Sequence, residues 1–231
     1  MEKDYVDIFV VGDFEAKEML SLIKKYFKFK TVKKQKDSYY LKAKKPRRRR
    51  LIAKETIENS QSKLSIACPI GKVTPYERAY PMILANIILG VGSDSKLFQD
   101  VREKNSLCYG IHSFYYKLDN LIMIKAGIDK ESFTKTIDLI TKNLNELKKG
   151  HFTEKDIQIA KEFYHTSLEE IEESDNRIIN EVLFCTILNQ DSLEGRWEKM
   201  QSVKKKDIVK VFKKINIDTI FLLEGVGGMH E

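Results

Sequence analysis

Apolar residues recur at two spacings along this chain, alternate positions and helical turns, and the switches between them predict its elements. Tyr5 to Val11 is a strand-like apolar run ending in Gly12-Asp13. Asp13 is placed to cap a helix whose apolar positions are Ala16, Met19, Leu20, Ile23 and Phe27. Lys63 to Cys68 alternates, with Leu64, Ile66 and Cys68 on one face, and reads as a strand. Thr74-Pro75-Tyr76-Glu77 is a strong helix start: Thr74 can cap, Pro75 suits the first helical position, and Glu77 completes a capping box. The stripe Tyr80, Ile83, Leu84, Ile87 and Ile88 follows, ended by Gly90 and Gly92, and Pro81 should bend this helix or delay its true start. Leu97, Phe98 and Val101 mark a short helix with Ser93 or Asp94 as its cap, and Asn105-Ser106 breaks it. Cys108 to Tyr116 and Leu121 to Ile128 flank a turn at Asp119-Asn120 and predict a β-hairpin. Asp129 is expected to cap a long helix through Phe133, Ile137, Ile140, Leu144 and Leu147, closed by Gly150, and Thr153 opens another through Ile157, Ala160, Tyr164, Leu168 and Ile171. Further helices run past Ile178 to Leu183, Leu193 to Met200 and Ile208 to Phe212, and Ile217 to Leu223 is a last strand.

Runs of strands and helices without βαβ alternation predict an α+β fold, with an antiparallel or mixed sheet covered by several helices. The opening strand and helix cannot form a domain alone and need a sheet to join. Asp7 to Gly12 echoes Asp218 to Gly225, as if a lobe ended in such a strand twice. This divides the chain into 1–30, the last strand and helix of a preceding lobe; 31–60, a basic linker; 61–225, a second lobe; and 226–231, a tail.

The stretch from Ser95 to Tyr109 organises the rest. Arg102 falls near the end of a helix and Tyr109 at the start of a strand, so both can face one crevice. Leu97-Phe98-Gln99-Asp100-Val101-Arg102-Glu103-Lys104 followed by Ser106-Leu107-Cys108-Tyr109 resembles the "sRLFqevREkrgLaY" signature of the pitrilysin/insulinase metallopeptidases, which marks their second, non-zinc lobe. The match is long and ungapped. It departs at Lys96, where family members often carry Arg, and at Asn105 and Cys108, where small residues are usual. The resemblance implies one lobe of the mitochondrial-processing-peptidase-like metallohydrolase fold. It implies that Arg102 and Tyr109 hold a peptide backbone and stabilise an oxyanion, opposite zinc carried by another lobe or subunit. The pattern is nearest to bacterial partner subunits that carry this Arg and Tyr beside a zinc-bearing subunit. Expected partners are a peptide substrate and a zinc-bearing N-terminal lobe or partner subunit, with a second copy of the chain as a further candidate. The alternative is a non-catalytic scaffold of the same fold. From spacing alone, Arg102 could instead pair with Asp100 or Glu103, and Tyr109 could be a core aromatic.

A zinc peptidase of this family needs H-x-x-E-H on a helix. The four histidines, His112, His151, His165 and His230, do not pair at three to five residues, so no catalytic zinc centre and no cofactor are expected within the chain. His165 and Glu169 stand one helical turn apart, a spacing a Glu-rich surface helix also produces by chance. His112 is expected to be packed or hydrogen-bonded in its strand. Cys68, Cys108 and Cys185 are far apart in apolar contexts and read as buried thiols in a reducing compartment. A net charge of +7 is spread over many helices and describes a Lys-rich solvated surface. The densest run, Lys44-Lys45-Pro46 and Arg47 to Arg50, reads as an extended linker, then as a contact for an acidic partner, and last as a nucleic-acid patch, since aromatic residues flank it on one side only. With no secretory pattern and no apolar run near the ~20 residues that span a bilayer, the expectation is a cytoplasmic chain with no membrane segment.

Overall fold

The β-hairpin is the scaffold on which the Arg102–Tyr109 region rests. In the computed structural model, which describes residues 6–28, 41–42, 47–188 and 190–226, β3 (Gly110–Tyr116) and β4 (Leu121–Ile128) pair antiparallel in the register Tyr116 opposite Leu121 and Gly110 opposite Gly127. Asn120 closes the turn in the left-handed region at φ 50°, a conformation Asn tolerates. Among the described residues the sheet has five strands in the order β1-β5-β2-β4-β3, with β1 Leu51–Ile57, β2 Ser62–Pro69 and β5 Thr219–Gly225. β1 and β5 run parallel and the other neighbours antiparallel, so the sheet is mixed, within the expected α+β class. Leu64, Ile66, Cys68, Ile122, Ile124, Ile220 and Leu222 fill one buried face, the alternation expected of strands covered on one side.

Helices cover that face. α2 (Pro75–Ala79) and α3 (Pro81–Gly90) are separated where Pro81 restarts the helix. α3 packs on β3 closely enough that a Cβ at Gly90 would lie 2.8 Å from Ser113 Oγ. α4 (Phe133–Lys149) ends at Gly150 in the left-handed conformation, φ 86°. It packs with α8 (Lys205–Phe212), whose Phe212 meets Phe152 edge-on at 5.9 Å between ring centres. α5 (Glu154–Glu169) opens with Thr153 and Asp156 bonded reciprocally, a cap in the expected place.

Glu77 does more than cap. Its backbone N–H donates to Thr74 Oγ1 at 3.1 Å, and its carboxylate accepts from the Thr74 N–H at 2.8 Å. The same buried carboxylate receives Lys214 Nζ at 2.7 Å and lies 3.0 Å from Lys210 Nζ, tying α2 to the end of α8. Burial pushes this carboxyl up; Lys214, the Thr74 N–H and Lys210 outweigh it and bring it from 4.5 down to about 2. A carboxylate depressed on folding stabilises above its unfolded value, and the gain is lost as pH falls from about 4.5 to about 2. We expect Glu77→Gln to cost on the order of 3 kcal/mol at pH 7 in urea unfolding, and the difference from wild type to vanish near pH 2.

By contact the chain forms two units, Tyr40–His165 with Glu194–Glu231, which holds the sheet, and Met1–Tyr39 with Thr166–Leu193. The second contains α1 (Ala16–Tyr26) and α6 (Asp175–Leu188); α7 (Leu193–Gln201) falls almost wholly in the first. Four sequence expectations change. Residues 6–11 carry no strand, because among the described residues no strand lies beside them, and Tyr5 is outside those described. α1 forms as expected but starts behind Glu15 with no side-chain cap, so Asp13 does not serve, and none of its residues is buried. β1 lies inside the segment expected to be linker; of the basic run, Lys44 to Pro46 fall outside the described residues. Arg47 and Arg50 are tied down, Arg47 N–H to Asp218 Oδ1 at 2.8 Å and Arg50 Nη1 to Thr141 Oγ1 at 3.3 Å. His112 is exposed on the edge strand β3 rather than packed.

Candidate functional site

The short helix expected around Leu97 is wider than an α-helix. Phe98–Glu103 is a π-helical turn, with the Lys104 N–H reaching back five residues to the Gln99 carbonyl at 3.0 Å. Neither Ser93 nor Asp94 caps it; Ser95 Oγ donates to the Gly92 carbonyl at 2.8 Å instead. Leu97 and Val101 are fully buried and pin the turn to the domain. The segment then reverses through Ser106 at φ 50°, and the Leu107 N–H bonds the Val101 carbonyl at 3.0 Å. With Val101 anchored inward, Arg102 faces out. Its guanidinium lies 4.7 Å from the centre of the Phe98 ring, and Nη1 meets Glu103 Oε1 at 3.1 Å.

Tyr109 stands across from it. Its backbone N–H donates to the Gly127 carbonyl at 2.9 Å, which carries the hairpin pairing one residue beyond β3. Its side chain is 62 % exposed, so it is not a core aromatic, and its hydroxyl donates to Asp129 Oδ1 at 2.9 Å. Asp129 was expected to cap α4, but it makes no side-chain cap bond; a 3-10 turn, Lys130–Ser132, intervenes before Phe133. Arg102, Glu103, Ser106, Cys108, Tyr109 and Asp129 line one open groove of about 410 Å³. The structure thus brings both sequence-chosen residues to a single concavity and adds two carboxylates. Glu103 was visible as a neighbour of Arg102 in sequence. Asp129 could have been found by running the hairpin register back from the Asp119-Asn120 turn, which ends β4 alongside Tyr109.

The hydrogen bond to Asp129, and that carboxylate's charge, raise the Tyr109 phenol above its ordinary value, so it remains a proton donor at neutral pH. Burial pushes the Cys108 thiol up to about 11 against a small opposing pull from Arg102, so it stays protonated and is no nucleophile. Among the described residues no three His, Cys, Asp or Glu side chains converge to hold a metal. His165 lies against Trp197, ring centres 4.3 Å apart. What the groove offers is a fixed cation and a neutral phenolic donor on rigid elements. That pair can donate to peptide carbonyls and to a developing negative oxygen.

A family model described as the peptidase M16 inactive domain matches residues 2–164. The chain belongs to that family. Among curated proteins, the M16 chain is 30% identical over 234 residues to "Probable inactive metalloprotease YmfF" of Bacillus subtilis, covering 99% of this chain and 53% of that protein. A conserved protein from Enterococcus faecalis V583 has the same fold, with TM-score 0.81 and 22% identity over 95% of this chain and 52% of that one. So does the peptidase M16 inactive domain from Pseudomonas fluorescens, with TM-score 0.65 and 24% identity over 77% of this chain and 43% of that one. The chain spans about half the length of these relatives. It is an M16 inactive domain of a zinc-protease-like protein. No helix among the described residues is long and apolar enough to cross a membrane.

Proposed function

We propose that this M16 domain is the non-zinc half of a two-lobed peptidase, in which Arg102 grips substrate carbonyls and Tyr109 donates to the oxyanion formed at a zinc centre in another lobe or subunit. The observation that carries this reading is that Arg102 and Tyr109, seven positions apart and on different elements, line the same open groove. Rigid donors aimed at where charge develops are the largest single contribution in many hydrolases, and they need a second body to exclude water. The described part of the first thirty residues supports such a body. Val6, Ile8, Val10, Leu20, Leu22, Tyr26 and Phe27 are all exposed, as expected of the closing segment of a preceding lobe, with residues 61–225 as the next lobe.

The chain alone should show no peptidase turnover. Adding its zinc-bearing lobe or subunit should restore cleavage of an extended peptide, and Tyr109→Phe should lower kcat about tenfold or more at little change in KM. A second reading, an assembly scaffold, draws on the word "inactive" in the relative's name and on the pairing of both donors with Glu103 and Asp129. Full turnover in Tyr109→Phe and Arg102→Ala, or a chain that binds its partner without turnover, favours the scaffold.

A further inference from the structure

We infer that Asp129 is the positioning residue of this groove: it holds the Tyr109 hydroxyl in a set direction until a substrate oxygen replaces it. The inference rests on the reading of Tyr109 given above and adds a residue that reading does not use. Three features fix Asp129. Ile128, the last residue of β4, is fully buried and pairs with Ser62. The Asp129 carbonyl accepts the Ser132 N–H at 3.0 Å, closing the 3-10 turn. Lys130, the next residue, is ion-paired to Glu224 on β5. Tyr109 is held at both ends, its N–H by the Gly127 carbonyl and its hydroxyl by Asp129 Oδ1, each at 2.9 Å.

An exposed tyrosine would otherwise sample its rotamers freely. Anchored main chain and anchored hydroxyl leave one direction, and orientation of this kind contributes to catalysis by removing a search. The other charged groups facing the groove are Arg102 and Glu103, and these pair with each other. Asp129 is therefore the acceptor left for the phenol. When the oxyanion forms, the hydroxyl turns from one anionic acceptor to another, so no donor is left unsatisfied and no proton leaves the phenol.

Two measurements test this. In the chain carrying 13Cζ-labelled tyrosine, with the Tyr109 signal assigned from Tyr109→Phe, Asp129→Asn should move the Tyr109 titration to lower pH and leave the other tyrosine signals in place. In the chain joined to its zinc-bearing partner, Asp129→Ala should lower kcat about tenfold with KM within about twofold. Asp129→Asn, which keeps an acceptor, should recover most of that loss, and Tyr109→Phe/Asp129→Ala should be no slower than Tyr109→Phe. An unmoved Tyr109 titration, or losses that multiply in the double variant, overturns the role of Asp129. Tyr109→Phe at full turnover overturns the oxyanion reading instead, and the titration still decides whether Asp129 directs the phenol.

Discussion

On the proposal that Arg102 grips substrate carbonyls, Arg102→Ala in the chain joined to its zinc-bearing partner should lower kcat and kcat/KM about 100-fold, the upper scale for losing hydrogen bonds from a charged group. The residue is well placed for so large an effect. Its guanidinium is steadied by the Phe98 ring beneath and Glu103 beside it, while the π-helical turn under it is nailed down by Leu97 and Val101. Arg102→Lys should recover little, because an ammonium has neither the planar fork nor the stacking face. The fold should barely notice. The Arg102 side chain is 42% exposed and its ion pair with Glu103 is a surface pair, worth under about 1 kcal/mol. Steady-state kinetics on the chain joined to its zinc-bearing partner, with a melting curve beside it, separates the two effects. A melting temperature that falls with kcat would mean the loss is structural.

Phe212→Ala should cost about 4 kcal/mol, the largest stability effect of any single substitution considered for this chain. Phe212 is fully buried, the largest side chain in that state among the described residues, and its edge meets Phe152. It closes the core between α8 and the elements under it, and no neighbour can relax into the space of a whole ring. Equilibrium urea unfolding should show a lower midpoint at unchanged slope. Phe163→Ala, at a half-exposed position, is the control and should move the midpoint little. Phe212 lies beyond residue 164, where the family match ends, as do the buried Met200, Ile208, Val211, Ile215, Ile220 and Leu222. The part of the chain outside the match therefore completes the core inside it.

The strands that could be read from the sequence are those with one wet and one dry face. β2, β3 and β4 alternate because helices cover one side only, and the Asp119-Asn120 turn fixed the register of the hairpin. β1 escaped notice because it is an edge strand exposed along nearly its whole length, so Leu51, Ile52 and Ile57 show no alternation with Lys54, Glu55 and Thr56. Residues 6–11 are the opposite case: a strand pattern with no strand beside it among the described residues. Thr74 and Glu77 were legible as a cap because capping is local; the lysines that reach Glu77 from α8 and the turn after it are about 135 residues away and left no mark in sequence. The groove divides in the same way. Arg102 and Tyr109 were marked by a contiguous motif, whereas Asp129 comes from the far end of a hairpin, and its bond to Tyr109 depends on register rather than on any run of residues.

The position of β5 has a consequence for how this chain comes to be folded. The last strand among the described residues lies in the interior of the sheet, between β1 and β2, and it is the neighbour that pairs with β1. While the polypeptide is being synthesised, Leu51–Ile57 must wait until residues 219–225 have emerged, and the β2 edge stays open to any passing strand until then. Closure of this sheet should therefore lag synthesis until residues 219–225 are clear of the ribosome. Ribosome-bound chains halted before residue 219 should be digested by protease at β1, and chains in which residues 219–225 have emerged should not.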